Sequence, residues 1–169
     1  MDRSAKFDEV VTISQIPNEP AVYALYGGHG RSAHAAYVGV TDKLCQRITQ
    51  HLVRRDSSVV TGASAVSITP DLITQVRWWL HPSFQDPAHV AAAELVAFDV
   101  LEPALRSRGA VEGHARDLAV DEAFAGQMRA VFGGEPTGHV LIPTLEDAME
   151  RIATLERRFA ALETKLLEK

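Results

Sequence analysis

Cysteine is nearly missing: Cys45 is the only one in 169 residues, so neither an intrachain disulfide nor a cysteine-built zinc site can form. Its neighbours Leu44, Ile48 and Leu52 mark it as a small core thiol. No apolar run approaches a membrane span without an interrupting charge. Residues 1–9 carry Asp2, Arg3, Lys6 and Asp8 where a secretory leader would be apolar. The expectation is a soluble, cytoplasmic protein with no membrane partner. A basic excess is missing too. The net charge of −5 argues against broad affinity for nucleic acid, because neutralising phosphates supplies most sequence-independent binding. His29, His34, His81, His89, His114 and His139 show no metal-ligand spacing and read as surface residues.

With 46% apolar and 23% charged residues, the composition fits one globular domain with an appendage. Charge is unevenly placed. Residues 39–56 hold four Lys/Arg against two Asp, a local +2, whereas residues 86–125 hold eight acids against three bases, a local −5.

Residues 21–26 and 36–40 are short β-prone runs separated by the turn-forming stretch 27–30, and Pro17 and Pro20 impose an extended approach. Thr41 or Asp42 is suited to cap a helix over about 43–55, with Leu44, Ile48 and Leu52 as its apolar stripe. Lys43, Arg47, His51 and Arg54 fall on the adjoining flank. A third strand is expected over 72–80, its facing left open by the adjacent Trp78 and Trp79. Asp86-Pro87 signals a second helix. On that helix Glu94 falls among Val90, Ala97, Phe98 and Leu101, in the middle of an apolar face. A carboxylate there is costly without a cation or hydrogen-bond donors. Residues 117–132 suggest a further short helix.

From Leu145 the apolar residues Ala148, Ile152, Leu155, Phe159, Leu162 and Leu166 follow at alternating spacings of three and four, the a/d pattern of a coiled coil. With Ile152 at position a, Arg151, Arg158 and Lys165 occupy g and Glu156 and Glu163 occupy e. Such a helix either pairs with a second copy, through residues 144–169, or packs back on its own domain.

The ordered set Ile16-Pro17, Val22-Tyr23, Tyr37-Val38-Gly39, Thr41 to Leu44, Arg47, His51 and Glu94 resembles the GIY-YIG nuclease family over residues 7–106. That resemblance implies an α+β fold with a small three-stranded antiparallel sheet flanked by helices, here followed by a helical or irregular connection at 107–143 and the C-terminal helix at 144–169. It also implies metal-dependent hydrolysis of DNA phosphodiester bonds. In that reading Tyr23 lies near the attacking water, Tyr37 is a second phenol, and Gly39 permits close approach. Arg47 stabilises phosphate charge, His51 assists proton transfer, and Glu94 holds Mg²⁺ or Mn²⁺. Lys43, Arg54 and Arg55 are candidate nucleic-acid contacts. Hydrolysis of this kind needs an activated water and cationic stabilisation of the phosphate oxygens, which these side chains can supply. The chain departs from the family at Ala21, where the pattern opens with glycine, and at Arg106, where many members carry asparagine. Alanine is small, so the first departure is mild; Arg106 and the acidic balance suit the alternative of a non-catalytic module that binds DNA or protein and dimerises through its C-terminal helix.

Overall fold

A computed structural model describes residues 13–28, 33–54, 72–106, 111–143 and 145–167, the side chains at 14, 53, 54, 165 and 167 excepted. Strands β1 (Ala21–Gly27) and β2 (His34–Thr41) pair antiparallel, and β3 (Ile73–Trp79) pairs antiparallel on the other side of β1. These are the three runs read from the sequence. Two further strands enlarge the sheet: β4 (Leu105–Arg106) runs parallel to β2, and β5 (Gly138–Leu141) runs antiparallel to β3. The spatial order is β4-β2-β1-β3-β5.

The class is α+β as expected, but the sheet is five-stranded and mixed, not three-stranded and antiparallel. Both additions are too short to carry the alternation that marks a strand. Arg106, where the resemblance expects asparagine, pairs through β4 with Val38, and its guanidinium lies 5.4 Å from the Phe98 ring centre.

Helices cover both faces. On one lies α1 (Leu44–Thr49), which continues as a π-helical turn over Gln50–Arg54. Its Leu44 and Ile48 pack with Ile16, Tyr23, Leu25, Tyr37 and Trp78. On the other lie α2 (Pro87–Leu101), α3 (Gly113–Val120) and α4 (Glu122–Gly133). There Val22, Ala24, Val38 and Trp79 meet Ala93, Val96 and Phe98 of α2 and Met128 and Phe132 of α4. Trp78 and Trp79 therefore serve opposite faces, as strand alternation requires. Gly138, paired with Trp78, carries no side chain because a Cβ there would sit 2.6 Å from the indole Cε2.

The helix starts differ in how they are satisfied. Asp86 caps α2 as expected, Oδ1 accepting from the Ala88 amide at 2.8 Å with Pro87 in the first turn. For α1 the expected caps Thr41 and Asp42 give way to a distant segment. Pro17 O accepts from the Cys45 amide at 3.2 Å, Glu19 O from Leu44 at 3.3 Å, and Asn18 Oδ1 from Gln46 at 3.3 Å. The prolines that hold residues 17–20 extended thereby aim three acceptors at the helix's unpaired amides.

Cys45 sits half-buried against this segment, its Sγ donating to Ile13 O at 3.4 Å. The last helix, α5 (Leu145–Leu167), leaves its large apolar side chains exposed. Among the described residues no helix is long and apolar enough to cross a membrane.

Candidate functional site

Strand register builds the site's floor. Tyr23 of β1 lies directly across from Gly39 of β2, and Tyr37, two residues earlier on β2, shares that face. A Cβ at position 39 would fall 2.9 Å from each phenolic oxygen and 2.8 Å from Tyr37 Cε1. Glycine is required here by space, since both rings lean over its backbone. The ring centres of Tyr23 and Tyr37 stand 6.1 Å apart.

Helix α1 and its π turn supply the roof. His51, three residues after Ile48 and seven after Leu44, faces inward, with its ring centre 5.8 Å from each tyrosine ring. Tyr23 Oη and His51 Nε2 share a hydrogen bond of 2.8 Å. Arg47, one turn earlier, donates from Nε to the same phenolic oxygen at 3.4 Å and from Nη1 to Gln50 Oε1 at 3.4 Å. The guanidinium is thus held from two sides while staying half-exposed.

Electrostatics follow from enclosure. Burial pushes the Tyr23 phenol far above its ordinary range and the Tyr37 charge adds to this, with Arg47 acting in the opposite sense. Burial first, and then the neighbouring Arg47 charge, pull His51 down to about 4. At neutral pH the site therefore holds a neutral phenol, a neutral imidazole and one fixed positive charge. The Tyr37 phenol is likewise raised, by burial and then by the negative charge of Glu94.

Glu94 is 6% exposed on α2, whose apolar side chains pack on the sheet face opposite α1. It is linked to the cluster through the field its carboxylate exerts on Tyr37. β4 pairs only with Tyr37 and Val38, so among the described residues no strand covers the β2 edge from Gly39 onward. Of the nine residues named from the sequence, Tyr23, Tyr37, Gly39, Arg47 and His51 form one contact cluster, with the acid Glu94 coupled to it from α2.

Among the described residues no group of three or more His, Cys, Asp or Glu side chains converges. A hard divalent ion that keeps most of its water ligands asks few carboxylates of a protein, and Glu94, 6% exposed, is the acid coupled to this cluster.

Outside the cluster, Arg47 lines a polar groove of about 420 Å³ with Asp42, Lys43, Gln46 and Gln50. Lys43, expected to touch nucleic acid, is exposed at its rim. Arg55 and the Arg54 side chain lie outside the described residues. Gln50 was not anticipated as a site residue, although its spacing of three from Arg47 on a helix is the available signal. Asn18 was missed as well, and it reaches the helix only through tertiary contact.

No family model matches this chain, and no curated protein or solved structure matches it either.

Proposed function

We propose that this protein is a metal-dependent endonuclease that hydrolyses DNA phosphodiester bonds at the groove beside Arg47, in the manner its resemblance to the GIY-YIG nucleases implies. The observation that carries the reading is the Arg47 guanidinium, fixed by Tyr23 and Gln50 while it opens onto a polar groove. A planar fork of donors held in place suits a phosphate's paired oxygens, and it stabilises the extra charge they gain as water attacks phosphorus. Lys43 adds a second cation at the rim. Behind Arg47, His51 Nε2 offers an acceptor, through Tyr23 Oη, for the proton that the attacking water loses as its oxygen bonds to phosphorus. The departing ester oxygen takes a proton from solvent as the P–O bond breaks. Glu94 would hold Mg²⁺ or Mn²⁺, which when bound would neutralise phosphate charge and acidify a water ligand.

The test is cleavage of supercoiled, linear, single-stranded and branched DNA by the full chain in Mg²⁺ or Mn²⁺. Arg47→Ala and Glu94→Gln are each expected to lower the rate by about 100-fold, the scale of removing one transition-state partner. Cleavage that persists in both variants overturns the assignment.

A second reading has one observation in its favour. Tyr23 is fully buried and His51 is 2% exposed, so phenol and imidazole are enclosed as a core network would be. In that reading the fold is a non-catalytic module that binds DNA or protein through the groove. Metal-independent DNA binding that falls on Arg47→Ala, with no cleavage of any of these substrates, would select it.

A further inference from the structure

The six large a/d side chains of α5 (Leu145, Ile152, Leu155, Phe159, Leu162 and Leu166) are between 45% and 74% exposed. They form one stripe along a 23-residue helix. An apolar stripe of that length, left exposed by the other described residues, marks an interaction surface. The flanking charges specify its occupant. Position g is basic throughout (Arg151, Arg158, Lys165), and position e carries Glu156 and Glu163.

In a parallel, in-register pair each g residue faces the e′ residue five positions on, so Arg151 meets Glu156 and Arg158 meets Glu163 on both sides of the seam. In an antiparallel pair g faces g′ and e faces e′, which places like charges together. We infer that α5 is the homodimerisation element, pairing with the α5 of a second copy in parallel and in register. Because α5 follows β5 within a few residues, such a dimer carries both folded domains at the same end of the coil.

The full chain, followed by light scattering across about a hundredfold range of concentration, should approach twice the 18.4 kDa chain mass. A monomer throughout, or a mass of three or more chains, overturns the proposal. Glu156→Lys/Glu163→Lys makes both flanks basic, and Arg151→Glu/Arg158→Glu makes both flanks largely acidic. Each variant alone should dissociate at least tenfold more readily, and an equimolar mixture should recover the dimer. Unchanged dimerisation of either variant alone points to an antiparallel pair and overturns the polarity.

Register has its own readout in a Cys45→Ser background. Leu166→Cys sits at an a position near the helix end, where a parallel partner brings the two thiols together. In an antiparallel pair they stand roughly 30 Å apart at 1.5 Å per residue. Rapid disulfide formation under mild oxidant is expected, and its absence in a chain that is dimeric overturns the parallel arrangement. The α5 substitutions lie on an exposed helix away from both cores, Cys45→Ser replaces a half-buried thiol of α1, and unchanged circular dichroism shows that the domain remains folded in each.

Discussion

At the scale of single residues, the site depends on a missing side chain as much as on those present. Tyr23 and Tyr37 bring their phenolic oxygens over Gly39, so even a methyl group has nowhere to go without moving a ring or the strand. Gly39→Ala is therefore expected to destabilise the fold by about 1–3 kcal/mol, the range for overpacking a filled interior. The penalty should shrink in a Tyr37→Leu background, where the closest atom, Tyr37 Cε1, is gone. Urea unfolding of the four combinations measures this coupling. Equal cost in both backgrounds would mean the Tyr37 ring is not what excludes the methyl group. Tyr23, Tyr37 and Gly39 are legible through the family resemblance, and strand alternation adds that 37 and 39 share one face. That Tyr23 is the residue across from Gly39 is a matter of register, fixed by the hairpin, and spacing does not supply it.

At the scale of elements, α1 shows what local pattern can and cannot give. Its position and apolar stripe follow from the spacing of Leu44 and Ile48, and both residues are fully buried. The flank assigned to His51 came from its polar type. Its spacing of three from Ile48 and seven from Leu44 is that of the core, and in the structure the period outweighs the polarity because Tyr23 Oη satisfies the imidazole. The cap was illegible for a different reason, since Asn18 meets Gln46 across 28 positions of sequence. Asn18→Ala removes that acceptor and leaves an amide of a short helix to solvent. The expected loss is about 0.5–2 kcal/mol, the range for an N-terminal cap, read as a lower urea midpoint at unchanged slope. Asn18→Asp keeps the acceptor and should restore wild-type stability; a matching loss in both variants would exclude the side-chain bond as the cause. The short strands β4 and β5 were hidden by similar logic. Two and four residues hold no readable period, and they are strands only because β2 and β3 offer edges to pair with.

At the scale of the whole molecule, the enclosed imidazole ties global stability to pH. His51 has its folded pKa lowered to about 4 from an ordinary 6.5, by burial first and the Arg47 charge second. Between these values the unfolded chain binds a proton that the folded chain refuses, so stability falls as pH drops from about 6.5 toward 4. It is recovered as pH rises back through the same window. A shift of that size corresponds to about 3 kcal/mol at 1.36 kcal/mol per pKa unit. Nearby groups do not mimic the effect: the Tyr23 and Tyr37 phenols stay protonated through this range because their pKa values are raised, and Arg47 stays charged. Other carboxylates lose their own contributions in acid, so the informative quantity is a difference between two proteins. His51→Gln retains a polar partner for Tyr23 and cannot titrate. Between pH 7 and pH 4, wild type should lose about 3 kcal/mol more unfolding free energy than His51→Gln. Parallel pH profiles would mean the imidazole gains its proton without opening the fold, and the neutral phenol–imidazole pair behind Arg47 would no longer hold.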